Sequence, residues 1–401
     1  MSGAGKGRRR FLHACAAGLL ATSLPGRAFG RAAPVRIGVD AEFMDPNSTA
    51  DDAILLGAQA AVDDLNARGG VLGGRPLQLV TTDNRSVPAR GVANIERLAA
   101  QPGMVGFVCG KFSPVVLEQL PVLHALRLPL LAPWAAADAI IDNGQRPNYA
   151  FRLGLSDTLA IEALLGEIER RELRRIGIVA PLTAWGRSCQ RAAERHVSSR
   201  PQDRLAIVGI EWHRWGALDS LPLGYRSLLD LGAEAILLVA NEPEGAALVK
   251  GIAGMPAQDL RPLFSHWGIS GGRFPELCGA ALQQVELDVV QPFSFAYARG
   301  EDGDRLARRA MQHFSTASPL AVPSQTGIGP AYDLVHLLAI AVERAGGTDR
   351  PAIQEALEHL PRHEGVVRSQ APAFTPTRHE ALGADDVRLC RFDTAGRLQP
   401  R

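Results

Sequence analysis

From Val35 onward the chain alternates short, almost continuous apolar runs with longer amphipathic stretches. Residues 35–39 read as a first strand. Ile54, Ala58, Ala61, Val62 and Leu65 then fall on one face of a helix predicted to begin after Asp51-Asp52. The glycine-rich stretch 66–75 leads into a strand over 77–82, and 88–100 is a second amphipathic helix. The run 104–109 is a buried-type strand. Ser113-Pro114 supplies an N-cap followed by Pro at the first helical position, opening a helix toward Leu126. A further apolar run covers 128–131 and an extended segment covers 149–153. Ser156-Asp157 caps a helix running to about Glu172.

The alternation then restarts. Strands are expected over 175–180, 205–211, 235–240, 262–265 and 285–295, with helices between them, one over about 185–196. The remainder is mainly helical, over 302–314, 329–345 and 351–360. A short closing strand pair lies around 387–392 and beyond Gly396. Two successive βα series predict an α/β fold of two doubly wound, Rossmann-like lobes, with the chain crossing between them near Arg152, Gln291 and Gly365. Heptads, low-complexity tracts and repeats are absent from the pattern. The glycines of 66–75 follow a helix and precede a strand. That is the reverse of a phosphate-binding loop, and it indicates helix termination followed by a hairpin-like turn.

Composition changes this picture little. At 401 residues, with 46% hydrophobic and 21% charged residues, the chain has ample core for two lobes. A net charge of +1 gives no electrostatic reason to expect nucleic acid or an acidic membrane as partner. The N-terminus is different. Arg8-Arg9-Arg10-Phe11-Leu12-His13 precedes the apolar run 14–24, and Ala28-Phe29-Gly30 offers small residues, Ala28 and Gly30, at the cleavage spacing; together these describe an export signal over 1–30 of twin-arginine type, with an ordinary Sec signal as the alternative. The mature chain keeps Cys109, Cys189, Cys278 and Cys390. None has metal-ligand spacing, and Cys109 and Cys278 read as buried thiols; one disulfide among the four stays open. No metal and no cofactor is expected.

Candidate chemistry concentrates in loops at the carboxyl ends of strands, where open α/β sheets bind small molecules. After the strand 104–109 stand Lys111, Phe112 and Ser113, beside the free N–H groups of a helix start that favour a carboxylate. After 128–131 stand Trp134, Ala135 and Ala136. The acidic loop Asp40 to Asp45 would suit an ammonium, and aromatic walls suit planar or cationic ligands. Gly-x-Ser-x-Gly, His-Glu-x-x-His and Walker patterns are missing, and Ser265 beside His266 is no recognisable nucleophile–base pair. The residues point to a binder and not an enzyme.

The order VRIGVDAEF, DDLNARGGVLGGRPLQLVTTDN, GFVCGKFSP, LPLLAPWAAAD, RRIGIVAPLTAWGRS, AEAILLVANEPEG and AYDLVHLLAIAVERAG resembles type I periplasmic binding proteins. The group most similar is the solute receptors of branched-chain amino-acid ABC transporters. The resemblance implies lobe one over 34–152 plus 293–365, lobe two over 153–292 plus 366–401, and a three-crossover hinge. It also implies a monomer in the periplasm that delivers a small ligand to an inner-membrane permease; a sensor or accessory receptor of the same fold is the alternative, and an exported hydrolase a remote one. Carried over by position, the ligand site comprises Lys111, Phe112, Ser113, Trp134, Ala135, Ala136, Trp185, Asn241, His266 and Trp267. The family's serine-rich loop has become Gly110-Lys111-Phe112-Ser113, its Ala-Thr has become Ala135-Ala136, and the acidic residue that pairs with an amino group falls near His266-Trp267. These losses argue against a plain aliphatic amino acid. Phe374 to His379 resembles a closing segment of one subgroup and receives no chemistry from the sequence. Tyr332-Asp333 is expected to serve packing and hinge support.

Overall fold

The computed structural model describes residues 33–200 and 205–401; the export signal read over 1–30 lies outside them. The first sheet is built from β1 (Val35–Ala41), β2 (Leu77–Asp83), β3 (Met104–Cys109), β4 (Leu130–Ala132) and β5 (Ala150–Arg152), all parallel in the order β2-β1-β3-β4-β5. Such a sheet is covered on both faces, which is why its central strand β3 reads as an unbroken apolar run. β3 is buried along its whole length. Crossovers are α1 (Ala50–Ala67), α2 (Pro88–Ala99) and α3 (Ser113–Ala125).

The second sheet follows after α4 (Asp157–Arg170). Its parallel part runs β10-β9-β8-β6-β7, from β6 (Arg175–Pro181), β7 (Ala206–His213), β8 (Ala235–Leu238), β9 (Leu263–Ser265) and β10 (Leu287–Gln291). Its helices are α5 (Ala184–Ser199), α6 (Leu221–Asp230), α7 (Glu242–Ile252) and the short α8 (Phe274–Cys278). The chain then returns to the first sheet. α9 (Gly300–Phe314), α10 (Gln325–Ala345) and α11 (Arg350–Glu358) follow, and α10 and α11 pack against β3. α1 and α10 approach so closely that a Cβ at Gly57 would lie 2.2 Å from the Ile328 carbonyl oxygen, so only glycine fits there. A small pair, β11 (His363–Glu364) and β12 (Ser369–Gln370), precedes β13 (Arg388–Phe392) and β14 (Leu398–Pro400). These last two add antiparallel strands to the second sheet next to β10. The fold is therefore α/β with two sheet-centred lobes, and the chain passes between the sheets three times.

Three local expectations need correcting. α1 begins at Ala50, so Asp51 and Asp52 lie inside its first turn. The Asp51 carboxylate accepts the N–H groups of Glu42 (2.9 Å) and Lys111 (2.7 Å), tying the β1 and β3 loops together. α3 is capped by Phe112, with Ser113 as its first helical residue; the Ser113 hydroxyl faces the β4 loop and accepts from the N–H of Ala136 (3.1 Å) and Ala137 (3.2 Å). The strand expected over 285–295 is confined to β10, because the following residues leave the sheet to cross over. The glycine-rich turn is a hairpin-like bend, with Val71 and Arg75 bridged antiparallel and Gly69 and Gly70 at φ of 106° and 75°.

The segment 374–380 acquires a structural role. Arg152, at the end of β5, is completely buried and forms a bidentate pair with Glu380. His379 stacks on Phe151 at 4.1 Å between ring centroids and bonds the Ala150 carbonyl and Glu358. The stretch closes over the edge strand of the first sheet. On α10, Tyr332 donates to Asp64, and the buried Asp333 accepts the N–H groups of Val366 and Val367, fixing the third crossover.

Candidate functional site

The loops after β3 and β4 of the first lobe face those after β6, β8 and β9 of the second. Between them lies one cavity. Lys111, Phe112, Ser113, Trp134 and Ala136 line it from the first lobe, and Trp185, Asn241 and His266 line it from the second. Pro114 and Gly268 complete the wall, two positions that the sequence reading missed. Ala135 and Trp267, also expected there, do not line it. Trp267 is fully buried and stacks behind His266 at 3.8 Å, while the Ala135 carbonyl turns inward to accept from Arg152.

The polar groups are arranged more sparingly than the residue types suggested. Ser113 offers no free hydroxyl, because Ala136 and Ala137 engage it. What remains at the start of α3 is backbone: the N–H groups of Phe112 and Ser113 have no acceptor among the described residues. Lys111 is nearly buried, with Nζ 3.0 Å from Asp45 Oδ2. Burial alone would lower its pKa, but the carboxylates of Glu242, Asp51 and Asp45 outweigh that and hold it above the ordinary value. The acidic loop thus binds the protein's own ammonium. Its other carboxylates are engaged too. Asp40 accepts from Thr82, Asn84, Asn94 and Gln119, and Glu42 accepts from Ser86.

On the second lobe, Asn241 precedes α7 without using its side chain as a cap, so the amide is available to the cavity. Glu242 begins that helix; burial raises its pKa, and Oε1 has no partner among the described residues. Trp185 donates from Nε1 to Asp157 Oδ1 (3.2 Å), and His266 Nε2 stands 3.2 Å from the same oxygen. Asp157 is completely buried, and its N–H bonds the Ala136 carbonyl at 2.9 Å, joining the two sides. Sequence reasoning treated Asp157 only as part of a helix start; nothing in its neighbours marked it as the anchor of the Trp185 ring.

Asp157, Cys189 and His266 bring ligand atoms within 4.8 Å of one another, the one such group among the described residues. The Gly268 N–H donates to His266 Nδ1 at 3.3 Å, while Nε2, 3.2 Å from Asp157 Oδ1, makes no hydrogen bond among the described residues. Cys189 is buried and its thiol pKa lies well above the ordinary value, through burial first and then Asp157. It is no activated nucleophile. Ser265 donates its hydroxyl to the His266 carbonyl (2.9 Å) and not to a ring nitrogen. The four described cysteines are all free and buried.

The lobes are shut in this conformation. The Gly271 carbonyl accepts from Thr49 N (2.8 Å) and Thr49 Oγ1 (2.9 Å), Arg273 reaches the Pro46 carbonyl, and Phe112 meets Trp215 edge-on at 5.1 Å. The enclosed cleft measures only about 20 Å³, room for a single water. No helix of the described residues is long and apolar enough to cross a membrane.

Comparison with known proteins agrees with this architecture. The family model for periplasmic binding proteins matches residues 34–397. The Leu/Ile/Val-binding protein BraC3 of Rhizobium johnstonii is 28% identical over 331 residues, 81% of this chain and 84% of that protein. Among solved structures, a type 1 periplasmic binding protein from Bordetella pertussis Tohama I superposes with a TM-score of 0.80 at 20% identity, covering 92% of this chain and 99% of that one. An ABC transporter solute-binding protein from R. palustris, in complex with 4-hydroxybenzoate, gives a TM-score of 0.75 at 17% identity over 92% and 95% of the two chains. The two sheet-centred lobes, the cleft between their strand ends and a family match spanning nearly all the described residues agree: the chain belongs to the type I periplasmic binding proteins.

Proposed function

We propose that this protein is an exported receptor that holds a small carboxylate-bearing, planar or aromatic solute in the cleft and delivers it to an inner-membrane ABC permease. In this reading residues 1–30 direct export, by the twin-arginine route, and are removed. Lobe one comprises 34–152 with 293–365, lobe two 153–292 with 366–401, and the receptor acts as a monomer in the periplasm. The observation that carries the proposal is the convergence of unpaired N–H groups at the start of α3 with Trp134 and Trp185, contributed by facing lobes, and with the amide of Asn241. The N–H groups suit a carboxylate, the indoles suit a flat body, and Asn241 and His266 suit a polar atom at its far end. Lys111 is held within lobe one by Asp45, and so it is not assigned to the ligand. The loss of side-chain hydroxyls at the amino-acid position favours an aromatic carboxylate over an aliphatic amino acid. The R. palustris neighbour with 4-hydroxybenzoate supports that class.

Calorimetry and thermal shift against benzoate, 4-hydroxybenzoate, phenylalanine, leucine and isoleucine test the assignment. An aromatic carboxylate is expected to raise the melting temperature without turnover. Trp134→Ala and Trp185→Ala should each weaken it more than tenfold, about 1.4 kcal/mol, with the fold intact. Unchanged affinity in both variants refutes the site; preference for leucine refutes the ligand class alone.

A further inference from the structure

Shutting the lobes buries a carboxyl group at their seam. Glu242 opens α7 of the second lobe, yet it lies against the first: a Cβ at Gly271 would stand 1.5 Å from Glu242 Oε1 and 2.6 Å from Ser48 Oγ. The residue is 1% exposed, and Oε1 has no partner among the described residues. Its charged neighbours come from both sides. Lys111, on the β3 loop, attracts it, but Asp45 of the β1 loop already holds that ammonium at 3.0 Å and repels the Glu242 carboxylate. Glu42, Asp51 and Asp52 are tied to groups of their own lobe. On the second lobe, Arg273 turns to Glu276 and the Pro46 carbonyl, and Glu244 accepts the Gly216 N–H. Burial raises the Glu242 pKa above the ordinary carboxylate value; Lys111, Ser48 and the residue's own N–H pull the other way and do not cancel it. A buried carboxylate oxygen without a partner is destabilising while charged and less so once protonated.

We propose that Glu242 is a proton-operated latch: acid holds the lobes shut and alkali lets them part. It operates only if the lobes part to admit a solute, as the receptor reading requires. When they part, Glu242 returns to water and to its ordinary value, while Glu42, Asp51 and Asp52 keep their partners. The shut form therefore binds the Glu242 proton more tightly. Its advantage is complete below the ordinary value and is lost as pH rises through the shut-state value, about tenfold in the shut-to-parted ratio per pH unit. Cleft affinity follows the same slope, because only the shut form grips a solute from both sides.

Small-angle scattering of the unliganded mature chain, from about pH 5 to about pH 8, tests the latch. The radius of gyration should grow as pH rises. Glu242→Gln, a neutral mimic, should hold the small radius throughout. Asp45→Asn alters a half-buried loop residue and is the independent variant should the first misfold. It should move the midpoint to lower pH, because one repelling carboxylate is gone and Lys111 is freed. A parent radius that ignores pH overturns the proposal. So does a pH response that survives Glu242→Gln, or a midpoint that Asp45→Asn raises or leaves in place. Gly271→Ala separates two failures. If it expands while the parent ignores pH, the latch alone is refuted; if neither ever expands, the parting of the lobes is refuted with it.

Discussion

Replacing Glu380 by Gln should loosen the edge of the first lobe and the cleft together. Arg152 has a side chain with no exposure, and Glu380 is 24% exposed. The guanidinium meets Glu380 through Nε and NH2, while NH1 donates to the carbonyls of Ala135 (3.3 Å) and Ala137 (3.1 Å) on either side of the cleft residue Ala136. Removing one partner of a buried pair costs about 3–5 kcal/mol, because the remaining charge stays in a poor solvent. Partial exposure of Glu380 and the two surviving carbonyl contacts place this case near the lower end, about 3 kcal/mol. A chain of this length unfolds with an entropy of about 0.8 kcal/mol/K, so the melting temperature should fall by about 4 °C. Differential scanning calorimetry reads that shift, and ligand titration should show weaker binding as the 135–137 loop loses its anchor. Replacing both partners, Arg152→Met with Glu380→Met, should recover most of the stability, since no unpaired charge remains. A melting temperature within about 1 °C of the parent in Glu380→Gln would refute the reasoning, for a buried charge cannot lose its partner at so small a cost.

Gly271→Ala should hold the lobes apart: its Cβ would lie 1.5 Å from Glu242 Oε1 and 2.6 Å from Ser48 Oγ, at the carbonyl that Thr49 latches. Small-angle scattering should report a larger radius of gyration and titration a weaker cleft; an unchanged radius contradicts the latch. Stability should fall between about pH 4 and 7. Burial pushes Asp51 up to about 6 and Asp333 up to about 7 from 3.8, so each binds a proton more tightly when folded, and the resulting stability is present at acidic pH and lost as pH rises through those values. Asp333→Asn should flatten the upper part of that profile in denaturant titrations at pH 5 and 7.5, whereas an identical slope would mean that Asp333 does not titrate there.

The succession of strands and helices and the location of the cleft were legible because both follow from patterns of neighbouring residues. Fully buried parallel strands must be apolar throughout, as β3 is, and ligands sit at strand carboxyl ends by topology. Less legible was which polar groups are already engaged. Ser113 looked like a free cap, yet it serves Ala136 and Ala137, 23 and 24 residues on. Lys111 looked like a ligand cation, yet Asp45, 66 residues away, holds it. Asp157 looked like a helix start and turned out to anchor Trp185 from behind. Such pairings depend on where distant loops meet, which no local spacing records. The 374–380 segment was opaque for the same reason, since its partners Arg152 and Phe151 lie more than 200 residues earlier.

The four described thiols carry a consequence for how the molecule would withstand an oxidant. Cys109 and Cys189 are sealed completely, Cys278 and Cys390 almost so, and burial pushes the last two up to about 12, so thiolate is scarce while the chain stays folded. Once unfolded, these four described cysteines offer exposed sulfurs and three ways to pair them fully, and all four are free in the folded structure. Melting under oxidant should therefore act as a ratchet, trapping crosslinked chains that a reductant would rescue, and shelf life would follow the rate of opening more closely than the equilibrium.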